Sequence, residues 1–126
     1  MYQNLDLFRT ADAMARHAGA RQAVVAENIA NADTPGYRAR EIGAFAETYR
    51  DHPVMALRTT RPGHVHSAPM ASAARAHLSD AERSPNGNSV SLEIEMLHAV
   101  EVQREHSRAL AIYRHALGVI RTSLGR

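Results

Sequence analysis

Apolar residues near the N-terminus recur every three or four positions, which is the spacing of one face of an α-helix. The face begins after Leu5, and one polar residue, Gln22, interrupts it. Its apolar or small members are Phe8, Ala11, Ala15, Ala18, Val25 and Ile29. Because most of them are alanine, a partner helix can approach closely while each contact buries little area. The pattern predicts a first helix over residues 4–31.

The C-terminal third of the chain has the longest periodic pattern. It keeps a four-three alternation through Leu92, Met96, Ala99, Gln103, His106, Leu110, Tyr113, Leu117, Ile120 and Leu124. A mean spacing of about 3.5 residues over more than about four heptads predicts a left-handed coiled coil. Ser91 is suited to cap the start of this helix, and Glu95 and Arg121 suit its positive and negative ends. The predicted second helix covers residues 89–124.

The residues between the two helices, 32–88, are rich in Pro and Gly and lack a long period. Thr34–Tyr37 places Pro and Gly at the two central positions of a type II turn, so the first helix is expected to stop there. A short helix is predicted within Glu41–Asp51. Leu57–Thr60 is predicted to form a short strand if a neighbour pairs with it, and the rest of this middle is expected to be partly disordered in the free chain.

These elements predict an all-α single domain over residues 1–126, in which two long terminal helices form an antiparallel coiled-coil hairpin around an irregular middle. Matching the two seams places Phe8 near Leu117 and Gln22 near Gln103, where a buried polar pair would fix the register. Other apolar residues lie outside both seams, namely Leu7, Met14, Val24, Ile94, Leu97, Val100, Ile112 and Val119. Exposed apolar surface of this kind usually marks an interface, so we expect other helices to pack alongside.

Composition narrows the possible functions. The 126 residues include no cysteine, which excludes a disulfide framework and zinc–thiolate chemistry. All fifteen basic residues are Arg and are interspersed with thirteen acidic ones, for a formal net charge of +2. A nucleic-acid-binding protein would be expected to gather its cations into one stripe, so no nucleic-acid partner is predicted. The N-terminus lacks a secretory leader and no apolar run has bilayer length, so composition alone predicts a cytoplasmic protein.

Candidate metal ligands and catalytic groups are few. His64 and His66 lie in the Pro/Gly-rich middle without a third ligand nearby, and His98, Glu101 and Glu105 share a helix face that is more typical of solvated charges. Phosphate-binding glycine loops, nucleophile elbows and zinc-protease helices are all missing from the sequence. We therefore predict no catalytic residue, no metal or cofactor site and no small-molecule substrate.

The decapeptide Asn28–Tyr37, NIANADTPGY, resembles the N-terminal signature shared by the axial proteins of the bacterial flagellum, those of the rod and hook. Other features are similar to those of proximal rod members: Ala39 to Ile42, Leu57-x-Thr59-Thr60 with His64 after it, and Gly87-Asn88-x-Val90 leading into Glu95-Met96. Ser91 departs from the acidic residue that usually follows the valine.

The resemblance implies a structural subunit of the proximal rod of the flagellar basal body. Such subunits assemble by helix packing, associate with themselves in a helical assembly, transmit torque and support flagellum assembly and motility. The implied partners are other rod proteins, the rod–ring junction protein, the membrane ring and the export gate. Export through the flagellar type III apparatus without a cleaved signal would place the protein in the periplasmic rod, which replaces the cytoplasmic expectation. A cytoplasmic coiled-coil adaptor or export chaperone is the alternative.

Two sets of residues are the predicted assembly sites. The assembly motif comprises Asn28, Ile29, Ala30, Asn31, Asp33, Thr34, Pro35, Gly36 and Tyr37. The helix seam and partner-packing set comprises Phe8, Ala15, Val25, Leu92, Met96, Leu110, Tyr113, Leu117 and Ile120. In this interpretation the motif ends the first helix and directs the middle segment outward, while the seam set joins the helices.

Overall fold

The computed structural model describes residues 2–50 and 75–125. In chain order its elements are α1 (Tyr2–Ala30), β1 (Arg40–Glu41), α2 (Phe45–Arg50), β2 (His77–Leu78) and α3 (Leu92–Ser123). Three of the predictions concern residues outside those described. They are the strand at Leu57–Thr60, the pair His64 and His66, and part of the middle expected to be disordered. Neither long helix has a stretch apolar enough for a membrane span, within the described ranges.

The two predicted long helices are confirmed. Helix α1 has 29 residues and α3 has 32. Ser91 occupies the N-cap position of α3 with extended backbone angles, φ −105° and ψ 112°, but its side chain makes no capping hydrogen bond. The backbone N–H of Glu95 donates to the Ser91 carbonyl at 3.0 Å, so the helical hydrogen-bond pattern begins there.

The long helices pack antiparallel, which confirms the predicted hairpin. Near the start of α1 the ring of Phe8 meets that of Tyr113 edge-on, with centroids 5.1 Å apart. Midway along, Arg21 Nη1 donates to both carboxylate oxygens of Glu105 at 2.8 Å. The observed register is therefore close to the predicted one, since Tyr113 lies one helical turn before the expected neighbour Leu117.

The stripe buried between the helices consists of small residues spaced seven apart. It contains Ala11, Ala18 and Val25 on α1, and Val102, Ala109 and Ala116 on α3. The α1 members were all in the predicted seam. On α3 the predicted stripe was wrong by one position. The buried residues Val102, Ala109 and Ala116 each come one position before a residue of the predicted seam. Small side chains let the two backbones approach, and the larger residues of the predicted seam are left at its edge.

The predicted Gln22–Gln103 pair was wrong. Both amides are exposed, and a polar pair crosses the seam between Arg21 and Glu105 instead. The side chains of Arg21 and Glu105 are 15% and 30% exposed, so the pair is largely shielded from water. On α3 the buried stripe runs through Val102 instead of Gln103, which leaves Gln103 on the solvent side.

The middle of the chain forms a two-stranded antiparallel ladder that the sequence pattern did not reveal. Arg40 pairs with Leu78 and Glu41 pairs with His77. The predicted helix within Glu41–Asp51 begins later than expected, at Phe45, because Glu41 belongs to β1 and residues 42–44 are not helical. The ladder holds the chain beside the end of α1.

Candidate assembly site at the end of the first helix

A tight turn terminates α1 as predicted. Gly36 has a φ of +74°, and the backbone N–H of Tyr37 donates to the carbonyl of Thr34 at 3.2 Å. These are features of a type II turn, whose third position favours glycine because it needs positive φ. Before the turn, Asn31 Nδ2 donates at 2.8 Å to the Glu27 carbonyl, which also accepts from the backbone N–H of Asn31 at 3.2 Å.

Asn88, which precedes α3 in the chain, caps the C-terminal end of α1 with its side chain. Its Nδ2 lies 3.0 Å from the carbonyl oxygen of Asn31, 2.8 Å from that of Ala32 and 2.9 Å from that of Thr34. Its Oδ1 accepts from the N–H of Val90 at 2.7 Å. Only 2% of Asn88 is exposed. One amide side chain therefore binds three carbonyls of a segment more than fifty residues away.

Asn28 makes the second cross-link. Its Nδ2 donates to the carbonyl of Arg40 at 2.7 Å and to Oε1 of Glu95 at 3.0 Å. Its Oδ1 accepts from the N–H of Arg40 at 3.0 Å and from the hydroxyl of Tyr37 at 3.3 Å. The side chain thus binds β1 as a neighbouring strand would, and also contacts the first turn of α3. With 1% of its surface exposed, every polar atom of this amide is satisfied.

Two glycines let the chain segments approach each other. The N–H of Gly36 donates to the carbonyl of Asn86 at 3.0 Å. Gly87 has a φ of +81°, and a Cβ added to it would lie 3.3 Å from Cα of Gly36. Glycine is therefore required at residue 87 for its backbone conformation and for this close approach.

Ser89 continues the pairing beyond the glycines. Its N–H donates to the carbonyl of Tyr37 at 3.1 Å, and its Oγ accepts from the N–H of Ala39 at 2.8 Å. We use the name motif junction for residues 28–41 and 84–95, which these hydrogen bonds join. The junction fixes the direction of the chain after α1 relative to the start of α3.

Glu95 is a buried carboxylate within the motif junction. It is 6% exposed, its Oε1 accepts from Asn28, and its Oε2 has no protein hydrogen-bond partner among the described residues. Nδ1 of His98 lies 4.0 Å from Oε1. Cavities of about 40 and about 60 Å³ flank Glu95 and share Arg40, Glu41 and His98 as lining residues. Each has room for a water molecule, which is the usual partner of such an oxygen.

Burial also perturbs the phenol of Tyr37. Loss of solvation raises the pKa of Tyr37 above its ordinary value, and the negative charge of Glu27 raises it further. The phenol is consequently held in its neutral form, in which it donates to Asn28.

The residues of the predicted assembly motif divide into two groups. Asn28 is buried and Asn31 and Tyr37 are partly buried, and all three bind within the junction. The remaining members are exposed: Ile29, Ala30, Asp33, Thr34, Pro35 and Gly36. The motif therefore has an inner side that builds the junction and an outer side open to other molecules.

Sequence reasoning missed the structural roles of Asn88, Ser89 and Glu95. Glu95 lies seven residues before Val102 and so continues the buried stripe of α3, but the apolar spacing had predicted a neighbouring stripe. Asn88 was part of the Gly87-Asn88-x-Val90 resemblance, but its hydrogen-bond partners were not readable because they are distant in sequence.

The predicted packing residues are also divided. Val25 is buried, and Phe8, Ala15, Leu117 and Ile120 are partly buried. The other four are exposed on α3: Leu92, Met96, Leu110 and Tyr113. The first three turns of α3 are especially apolar at the surface. Five large side chains there, which we call the apolar collar, are at least half exposed: Leu92, Ile94, Met96, Leu97 and Val100.

Comparison with known proteins assigns this architecture to a class. Residues 13–38, which cover the second half of α1 and the turn, match the family described as flagella basal body rod protein. A flagellar basal body rod protein FlgB of Agrobacterium fabrum is 32% identical over 109 residues, 82% of this chain and 81% of that protein. A FlgB of Cereibacter sphaeroides is 30% identical over 105 residues, with 82% of each chain covered.

The chain belongs to the FlgB family of flagellar basal body rod proteins. It therefore has a structural role in the flagellar rod, and its place is the flagellar basal body.

Proposed function

We propose that the protein is a subunit of the proximal rod that assembles by helix packing with copies of itself and with other rod proteins. In this role it transmits torque and supports flagellum assembly and motility. Its neighbours would be the rod–ring junction protein, the membrane ring and the export gate. Export without a cleaved signal would bring it to the periplasmic part of the basal body.

The apolar collar is the observation that carries this proposal. Leu97, the most exposed of its members, has 65% of its surface accessible, and Met96 has 60%. At about 100° per residue the collar members spread over more than half of the helix circumference, with the exposed Glu93 among them, so a single flat partner would not cover them. Exposed apolar surface of this extent favours helices packing from more than one direction. Contacts between different faces of identical subunits generate helical assemblies when they do not close into a ring.

The heptad pattern of α3 supports the same proposal. Val102 and Ala109 belong to the stripe that α1 covers, whereas Met96 and Leu110 belong to the adjacent stripe and remain exposed. Helix α3 thus has one seven-residue repeat for its own hairpin and a second for other molecules. A helix with two apolar stripes is suited to the interior of a bundle of many helices.

A charge placed in the collar tests the proposal. Leu97→Asp is expected to leave synthesis unchanged but to prevent incorporation into basal bodies, because a buried interface does not tolerate an unpaired charge. The measurement is co-purification with isolated basal bodies, together with motility. Arg108→Asp, on an exposed position of the same helix, is the matched control and should be incorporated. Incorporation of both variants would contradict the proposal, and recovery of the wild-type chain in the cytosol alone would favour an adaptor or chaperone.

The turn provides a second test. Gly36→Val is expected to abolish incorporation into the rod while synthesis continues, because valine at a φ of +74° is strained and misdirects the chain after α1. Immunoblots of cells and of purified basal bodies measure the two quantities. Normal motility of the variant would show that this turn geometry is not needed for assembly.

A further inference from the structure

Helix α2 rests on α1 through a histidine that the motif junction does not use. His17 is 5% exposed. Its ring meets that of Phe45 edge-on, with centroids 5.5 Å apart and the planes at 72°. Phe45 in turn packs against Tyr49 at 5.2 Å, so the two aromatic residues of α2 and His17 form one cluster. This cluster joins the short helix to the hairpin.

The nitrogens of the His17 ring are poorly satisfied by the part of the chain that the structure describes, where the Gly43 backbone is near the ring. Nδ1 and Nε2 are fully buried, and neither makes a hydrogen bond of good geometry to another described residue. A neutral imidazole loses part of its hydration in such a site, whereas an imidazolium loses far more because it carries a full charge and two donors. The pocket is therefore suited to the neutral form.

Charged groups near His17 come from two of the surrounding helices. Arg21 lies one turn further along α1, and Glu105 reaches in from α3, where it binds Arg21. On the α2 side the Glu47 carboxylate lies close to Gly43, whose backbone is near the ring. Burial lowers the pKa of His17, Arg21 lowers it further, and Glu105 and the Gly43 backbone oppose this shift only in part. Arg21 already occupies the carboxylate of Glu105, so this anion is poorly placed to compensate a second cation.

We propose that His17 is an acid-sensitive latch for α2, in which the neutral ring holds Phe45 against the hairpin and the protonated ring releases it. Protonation requires water or an anion at a ring nitrogen, and the contact with Phe45 blocks that access. Displacing α2 opens the site while α1 and α3 remain packed along their own seam. Residues 42–44, which lie between β1 and α2 and belong to neither element, provide the backbone at which α2 can move.

The test is a pH titration of the full-length chain by nuclear magnetic resonance, from about pH 8 to about pH 4. The His17 Cε1–H signal reports protonation, and cross-relaxation between the His17 and Phe45 rings reports docking. We expect His17 to titrate below its ordinary pKa and the ring contact to be lost with the same midpoint. As the pH falls below the ordinary histidine pKa of 6.5, the docking equilibrium should fall about tenfold per pH unit until the pH reaches the lowered pKa of the docked ring. Helical shifts of α1 and α3 should persist.

Two variants distinguish the latch from a general effect of acid. In His17→Leu, helix α2 should stay docked throughout the titration, as judged from the helical shifts of Phe45–Arg50. His115→Leu replaces an exposed histidine of α3 and should release α2 as the wild-type chain does. The proposal is overturned if protonated His17 keeps its contact with Phe45, or if His17→Leu releases α2 over the same range. The wild-type titration decides the matter by itself if His17→Leu fails to fold.

Discussion

The motif junction and the helix seam hold the same two helices together by opposite means. The junction uses buried amides such as Asn28 and Asn88, whose hydrogen bonds have direction and fixed partners. The seam uses small apolar residues such as Ala18 and Ala109, which bury little area and have no directional preference. The junction therefore determines how the chain is oriented, and the seam determines how closely the helices approach.

This difference explains why the end of the hairpin at the motif junction uses polar contacts with fixed partners. An alanine-rich seam tolerates sliding, because neighbouring positions offer similar contacts. Polar groups buried at the junction cannot slide without losing their hydrogen bonds, which is costly. Arg21 and Glu105 add a directional contact midway, and the junction anchors the end next to the apolar collar. The apolar collar, which we propose meets other rod proteins, is thus held in a defined position.

The largest expected effect comes from removing the cap on α1. Asn88→Ala leaves three carbonyls of the motif without their donor and should lower the free energy of unfolding by about 3 kcal/mol. Urea unfolding followed by circular dichroism measures this change. Gln22→Ala, an exposed amide on α1, is the control and should cost less than about 0.5 kcal/mol. Equal losses of stability in the two variants would show that the buried Asn88 amide stabilises the fold no more than an exposed amide does.

A larger side chain, even an apolar one, should disrupt the packing of the seam. Ala109 is 0% exposed, so Ala109→Leu must separate the helices and should cost about 2 kcal/mol. Ala111→Leu makes the same change at an exposed position of α3 and should alter stability by less than about 0.5 kcal/mol. Thermal and urea unfolding of both variants measure the contrast. A stable Ala109→Leu variant would mean that the helices are not as close as the structure shows.

The two glycines of the junction separate backbone strain from close contact. Gly36 and Gly87 both have positive φ, but only Gly87 would bring a Cβ within 4 Å of another atom, at 3.3 Å from Cα of Gly36. Gly36→Ala should therefore cost about 1 kcal/mol from strain alone. Gly87→Ala should cost more, at about 2 kcal/mol, because the neighbouring backbone must also move. Urea midpoints measure both, and the reverse order would disprove the close approach.

The smallest expected effect is a pH dependence from Tyr37. Because folding raises the pKa of its phenol, the unfolded chain loses this proton first as the pH rises. The stability that depends on the neutral phenol is complete below the ordinary tyrosine pKa of about 10 and is lost as the pH rises through the folded value. Tyr37→Phe should remove this alkaline loss at a cost of about 0.5 kcal/mol, since the hydrogen bond to Asn28 is long at 3.3 Å. Urea unfolding at several alkaline pH values compares the two proteins, and an unchanged dependence in Tyr37→Phe would assign it to another group.

Much of the fold was predictable because its signals are local. The 3.5-residue period identified α3, and Pro35 followed by Gly36 identified the turn that ends α1. The short strands at Arg40–Glu41 and His77–Leu78 were not predictable, since two-residue strands have no period to detect. The assembly motif was recognised from its sequence, but its inner and outer sides were not separable until the position of Asn88 was known.

The sequence by itself determined the two long helices, the turn between them, their antiparallel arrangement and the family to which the chain belongs. Spacing and turn chemistry act over a few residues, and they are readable without knowledge of the rest of the molecule. Only the tertiary structure decided which stripe of α3 faces α1, which polar residues meet across the seam, and that Asn88 closes the end of the first helix. Those outcomes depend on distances between segments far apart in the chain, and a difference of one position in a heptad was enough to change them.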